Sequence, residues 1–283
     1  MRIILFILLF FSLQSQGQII NASPNYRPFA AAGCPNDADA TAWIAASGII
    51  DTTGIHCFFK GLKDYSLWTH MANSGNGAAW LLFGNSANAC KLNIFSPVDA
   101  DANFRLTFSI GWTFSSGGAD PSNVSYAGTW MTSSANLNKD SKHLSVYSVE
   151  DNSGGSDIGN FIVNNSSFDG IFLNTGGVNY YYLSDVANNS VSSGSTSLGF
   201  YIATRTASNV TALYKNGSSI ATSSTSSSAS QNTTEIKLGV GNGQYSQRKI
   251  TFASVGPGMT SGQASDLNLL VEQLMDSRGI GVQ

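Results

Sequence analysis

Charge is what this sequence has least of. Only 11% of its 283 residues are Asp, Glu, Lys or Arg, against about 25% in an ordinary soluble chain. The 14 Lys+Arg and 17 Asp+Glu leave a formal net charge of −3. No basic face is available to neutralise phosphates, so no nucleic-acid partner is expected. Glutamate occurs three times, at Glu150, Glu235 and Glu272, which leaves few candidates for chemistry that needs paired glutamates. Histidine occurs three times, at His56, His70 and His143, and no two are spaced as a helical metal pair. No GxSxG elbow, phosphate loop or dinucleotide fingerprint is present. Cysteine is scarce and odd in number: Cys34, Cys57 and Cys90. Without a CxxC or a nearby His cluster, no metal site is indicated. One disulfide plus one spare thiol is the simplest state, and the spacing leaves the pairing open.

The polarity comes instead from uncharged residues. Ser, Thr, Asn and Gly number 42, 19, 25 and 29, about 41% of the chain. With 11% aromatics and 42% hydrophobic residues, this mixture suits short strands joined by tight turns around a real core, rather than helices or disorder.

Residues 1–17 read as an export signal. Arg2 precedes a short apolar run over 3–11, and Ser15 and Gly17 place small residues before a cleavage point. The run is shorter than the ~20 residues a membrane span needs. Residues 18–36 form a Pro/Asn-containing lead, and 37–283 read as one domain. An extracellular, cell-surface or virion location follows, and export makes a disulfide permissible.

Residues 37–47 and 55–62 predict two short helices. Trp43 and Ile44 face inward on the first. Asp51 caps the second, whose Ile55, Phe58, Phe59 and Leu62 make an apolar stripe. Strands are predicted at 80–83, 91–95, 104–112, 143–147, 160–163, 198–204, 210–214, 219–222, 235–239 and 249–253. Asn216-Gly217 predicts a hairpin turn. The Ser/Thr-rich stretch 222–234 reads as a solvated loop or edge strand. Thr260 and Gln263 predict a capping box for a C-terminal helix carrying Leu267, Leu270, Val271 and Leu274, ended by Gly279. The expected fold is all-β, a sandwich with two short N-terminal helices and one C-terminal helix.

Asp99 and Asp101 have the i, i+2 spacing of a strand face, but the next alternate position is Asn103. They read as turn and cap carboxylates. Asp99, Asp101 or Asp120 joined by loop carbonyls is the one arrangement that suits calcium, and no EF-hand spacing accompanies it. Otherwise no cofactor is expected. The aromatics point further. Trp112 and Trp130 bracket a polar stretch containing Asp120 and Tyr126, and Tyr180, Tyr181 and Tyr182 follow a Gly-Gly-Val-Asn turn. Aromatic faces stack on the apolar faces of sugars while Asn, Asp and Ser oxygens bind hydroxyls. The candidate ligand-binding residues are therefore Trp112, Asp120, Tyr126, Trp130, Tyr180 and Tyr181.

Several stretches resemble bacteriophage and prophage virion structural proteins with a concanavalin A-like lectin/glucanase domain. They are 43–51 (WIAASGIID), Leu62-Lys63, 67–71 (LWTHM), 91–97 (KLNIFSP), 102–108 (ANFRLTF), Gly111-Trp112-Thr113, His143-Leu144-Ser145, 199–203 (GFYIA), Lys215-Asn216-Gly217 and 252–256 (FASVG). The resemblance implies a jelly-roll sandwich in a fibre- or spike-type component that acts in assembly or receptor binding and carries no assigned catalytic residue. The expected role is non-catalytic binding of a cell-surface glycan or receptor, with a homo-oligomer or other virion subunits as further partners. Two alternatives differ in class. A polysaccharide-degrading enzyme on this fold needs an acid cluster such as ExDxxE, which is missing. A purely structural subunit would have no ligand affinity.

Overall fold

The computed structural model describes residues 33–72, 75–122, 124–161, 167–185, 189–191, 196–228 and 230–282. The export signal, most of the lead and half of the strand expected at 160–163 lie outside them.

The helices are α1 (Ala38–Ser47), α2 (Ile55–Asp64), α3 (Leu67–Ala72), the single turns α4 (Ala87–Cys90) and α5 (Ser133–Asn136), and α6 (Ser261–Ser277). Asp37 caps α1 by accepting from the amides of Asp39 and Ala40. In α2 the predicted stripe of Ile55, Phe58, Phe59 and Leu62 is buried. The expected cap from Asp51 is absent. Gly54 stands at the N-cap, while Asp51 accepts from the Thr53 amide and pairs with Arg278. For α6 the capping box of Thr260 and Gln263 forms as predicted. At its other end Gly279, at φ 69°, lets the Ile280 amide reach Met275 O and its own amide reach Asp276 O, both at 3.0 Å. This double bond closes the helix.

The strands are β1 (Ala78–Leu81), β2 (Thr107–Phe108), β3 (Thr113–Ser115), β4 (Gly118–Asp120), β5 (Ala127–Thr132), β6 (Lys142–Ser148), β7 (Ile158–Gly159), β8 (Phe168–Thr175), β9 (Val178–Asp185), β10 (Asn189–Val191), β11 (Gly199–Ala207), β12 (Val210–Lys215), β13 (Ser218–Ser223), β14 (Glu235–Leu238), β15 (Val240–Gly241), β16 (Gln244–Tyr245) and β17 (Ile250–Gly256). A central sheet runs β13-β12-β11-β6-β17-β4-β3, with β1 also on β17. An outer sheet runs β10-β9-β8-β7-β14-β5-β2, and β15 and β16 form a small ribbon. Every recorded strand pairing is antiparallel. Asn216 and Gly217 take φ of 52° and 75° and close the β12–β13 hairpin, as an Asn-Gly turn should.

Alternation gives the central sheet two covered faces. Tyr147, Phe200, Ile202 and Phe252 pack against the helices. Leu144, Val146, Tyr201, Ala203 and Val255 pack against the outer sheet's Ile158, Ile171, Leu173, Tyr181 and Ile236. The result is the all-β, concanavalin A-like sandwich expected from the sequence, with a helical layer on one side.

Two predicted strands are not strands, and the described half of a third, Asn160 and Phe161, lies just past β7 outside any strand. Residues 91–95 follow α4 as turns. The Asn93 side chain substitutes for a ladder: its Oδ1 accepts from the Ala79 amide at 3.1 Å and its amide donates to Gly77 O. In 104–112 only β2 is extended. Phe104 (φ 57°) and Gly111 (φ 108°) turn the chain, so Ile110 is 98% exposed. Phe108, Trp112 and Phe114 still meet, with Phe108 5.2 Å from Trp112 and 4.9 Å from Phe114. Cys34 pairs with Cys57, tying the lead to α2. Cys90 is free and buried, and burial pushes its thiol up to about 12.

Candidate functional site

On the outer sheet, β5 and β14 pair through a bulge. Glu235 lies opposite Thr132 but Lys237 lies opposite Gly128, so β5 carries two extra residues. Thr129 folds inward, donating from Oγ1 to Ile236 O at 2.6 Å. Trp130 takes φ 62° and is thrown outward, 46% exposed. Its amide donates to Glu235 Oε1 at 2.7 Å, and its ring N–H donates to Thr107 Oγ1 at 2.9 Å. A bulge that re-aims a side chain is a recurrent functional device. A Cβ at Gly128 would sit 2.6 Å from Glu235 Oε1 and would push that carboxylate aside.

The same edge carries Tyr126, which leads into β5, and Lys237 on β14. The Lys237 ammonium lies 4.2 Å from the Tyr126 ring centroid and 5.6 Å from that of Phe161. Tyr126 is held by its amide donating to Ser109 Oγ and by the Ser109 amide donating to its carbonyl, both at 2.9 Å. The outer edge formed by β2, β5 and β14 thus presents an exposed indole, a half-buried phenol, an ammonium, a carboxylate and the Thr107 hydroxyl. Stacking surface beside fixed donors and acceptors suits a polyhydroxylated or mixed polar ligand.

The structure places Tyr126 and Trp130 on the same edge of the outer sheet, just before and within β5, and separates the other predicted residues from them. Tyr181 is 1% exposed in the sandwich interior. It shares strand parity with Leu183, so it is a core residue and is corrected here. Trp112 is also buried, packed on Phe108 and Phe114, and it offers no face to a ligand. Tyr180 is half-buried on β9, four strand spacings from β5, roughly 19 Å at about 4.8 Å per strand. Asp120 belongs to the central sheet, where burial and then the nearby Glu150 raise its carboxyl while Lys249 opposes them. Asp99 accepts from Lys91 at 2.5 Å and Arg105 at 2.7 Å, and Asp101 accepts from Arg105 at 2.8 Å. Those hydrogen bonds hold Asp99 below the usual carboxylate range. Asp99 and Asp101 are thus engaged in ion pairs, and Asp120 stands on β4 of the central sheet. Among the described residues, no three His, Cys, Asp or Glu gather as a metal-binding group.

A histidine–serine contact does exist. His143 lies 2.7 Å from Pro257 O through Nδ1 and 2.9 Å from Ser254 Oγ through Nε2, and Ser254 meets Ser145 Oγ at 2.6 Å. A carbonyl only accepts, so Nδ1 carries the proton and Nε2 accepts from Ser254. All three side chains are fully buried, so no substrate reaches them.

Lys237 and Glu235 are the residues of this candidate edge that sequence reasoning missed. Their period-2 outward placement is readable in 235–239, but their partnership with Tyr126 and Trp130 spans more than a hundred residues through a bulged register.

No family model matches the sequence, and no curated protein sequence matches it. Solved structures do match. Trypanosoma rangeli sialidase in complex with 2,3-difluoro-KDN is similar over 81% of this chain and 40% of its own, with a TM-score of 0.50 at 11% identity. A mutant of that sialidase displaying trans-sialidase activity is similar over 81% of this chain and 39% of its own, with a TM-score of 0.50 at 11% identity. The binding domain of botulinum neurotoxin serotype D aligns over 69% of this chain and 52% of its own, at 13% identity and a TM-score of 0.42. The chain spans 40% of the first sialidase's length, and the likeness is one of fold.

Proposed function

We propose that this protein is an exported, non-catalytic β-sandwich of a virion or other extracellular assembly, and that it binds a surface glycan or receptor through the Tyr126–Trp130 edge. The observation that carries the reading is Trp130 itself. A large aromatic is held exposed in a left-handed backbone conformation that L-residues enter at a cost of about 1–2 kcal/mol. Its ring lies outside the core while Thr129 and Met131 beside it are buried, and strain of this kind concentrates at ligand sites. The fold shared with sialidase chains supports the reading at the level of architecture.

The test is a glycan array probed with the wild type and with Trp130→Ala and Tyr126→Ala, each shown to be folded by circular dichroism. Loss of one stacking face should weaken binding about tenfold, the equivalent of about 1.4 kcal/mol. Binding that both substitutions leave unchanged overturns the site.

A further inference from the structure

We propose that this edge selects glycans bearing a carboxylate, and that Lys237 supplies the recognising ammonium. The inference rests on the glycan-binding reading above and names the ligand chemistry of the same site.

Most cations of the described chain are already committed to carboxylates. Lys60 pairs with Asp64, Lys63 with Asp37, Lys91 with Asp99 and Lys249 with Glu150. Lys237 differs. Its recorded partners are two aromatic rings, Tyr126 at 4.2 Å and Phe161 at 5.6 Å, and no carboxylate lies within ion-pair distance among the described residues. Rings attract an ammonium without neutralising it or occupying its three N–H donors. They also fix the long side chain, so less rotamer entropy remains to be lost when a ligand arrives.

Among the described residues, the flanking strands leave the ammonium room. Its cross-strand partners are Gly159 on β7 and Gly128 on β5, so neither flanking strand places a side chain in register beside it. The nearest acid on the strand, Glu235, is engaged through Oε1 by the Trp130 amide, and its other oxygen is suited to accept sugar hydroxyls. A carboxylate sugar lying over Trp130 therefore meets a charge-assisted donor at one end and an acceptor at the other. Charge-assisted N⁺–H···O⁻ bonds are about twice as strong as neutral ones. An uncharged sugar gains only the stacking and the neutral hydrogen bonds.

The experiment presents uronic-acid oligosaccharides beside their carboxyl-reduced counterparts on one array, followed by titration calorimetry of the best pair. The acidic form should bind about tenfold tighter. That preference should shrink as salt rises from about 50 mM to about 500 mM NaCl. Lys237→Gln should bring the ratio of acidic to reduced binding close to one, and Lys237→Arg should keep it above one. Trp130→Ala should weaken both forms. Equal binding of the two forms, or a ratio that Lys237→Gln leaves intact, overturns the acid preference while leaving the glycan site standing. Binding insensitive to Trp130→Ala, or no binding to any member, overturns the site and the preference together.

Discussion

The two faces of the central sheet solve the same burial problem with different chemistry. On the helix-facing side the contacts are mostly aromatic and aliphatic, with a buried hydrogen bond from Tyr147 OH to Glu272 Oε2 at 2.5 Å. Phe252 meets Phe58 at 6.1 Å and Phe200 at 5.6 Å, and Leu270 and Leu274 of α6 complete the layer. On the sandwich side two ion pairs are fully buried among the aliphatics: Arg248 with Asp157 at 2.8 and 2.9 Å, and Lys142 with Asp169 at 2.9 and 3.0 Å. The difference follows from backbone needs. A helix satisfies its own amides, so its packed face can be wholly apolar. The β8–β9 pairing slips twice, between Phe168 and Asp169 and between Phe172 and Thr175, and each slip strands polar backbone. The charged pairs serve those slips. Asp157 accepts from the Leu173 amide, and Arg248 donates to the Leu173 carbonyl. Asp169 accepts from the Ser184 amide at 2.7 Å, and the fully buried Arg205 donates to Leu183 O at 2.7 Å. A chain poor in charge thus spends part of it where no solvent reaches.

The largest expected effect breaks this arrangement. Arg248→Met leaves Asp157 buried without its partner and should cost about 3–5 kcal/mol in urea unfolding at neutral pH. The double variant Asp157→Leu/Arg248→Met sharpens the point. An isolated buried pair can often be replaced by apolar residues without loss. Here two groups of Leu173 would remain unsatisfied, at about 1–3 kcal/mol each. The double variant should therefore stay at least about 2 kcal/mol below the wild type. Wild-type stability in the double variant would show that the pair does not serve the bulge.

The helix-facing side also carries a buried histidine, His143, and pH should expose it. Burial of His143 lowers its pKa to about 4, with the charge of His70 acting in the same direction and the Pro257 carbonyl opposing. The unfolded histidine titrates near 6.5. Between those values the unfolded chain binds the extra proton, so stability rises with pH across the window and is lost as pH falls from about 6.5 toward about 4. Two to three pKa units correspond to roughly 3 kcal/mol. His143→Gln should flatten that part of the curve of melting temperature against pH. An unaltered slope between about pH 6.5 and about pH 4 would assign the effect to other groups.

The same contrast explains what was legible in the sequence. The helix layer depends on local spacing, so the stripe of α2, the capping box of α6 and the Gly279 stop were readable. So was the Asn216-Gly217 turn, because both residues tolerate positive φ. Strand parity groups Tyr181 with Leu183 and Tyr180 with Tyr182, but which pair faces inward needed the neighbours of β9. Residues 91–95 misled because Asn93 supplies with its side chain what a strand supplies with its backbone. Residues 104–112 misled because a perfect apolar alternation was broken by Phe104 and Gly111 at positive φ. Of the site, Tyr126 and Trp130 were visible as aromatics in a polar stretch. Lys237 and Glu235 were not, since a bulged register between β5 and β14 is a tertiary fact.

The smallest effect on stability should accompany the largest effect on binding. Trp130→Gly removes an L-residue from φ 62°, a conformation glycine enters freely, so about 1–2 kcal/mol of strain is released. The substitution also gives up the indole hydrogen bond to Thr107, worth about 1 kcal/mol, and the packing of a ring that is nearly half exposed. The two sides nearly cancel, and the variant should melt within about 1 kcal/mol of the wild type while glycan binding falls about tenfold, as for Trp130→Ala. A protein that keeps a strained tryptophan where glycine would serve equally well for folding keeps it for the ring. Destabilisation beyond about 2 kcal/mol would instead make Trp130 a brace for the β2–β5 edge, and stability would then explain its exposure without a ligand.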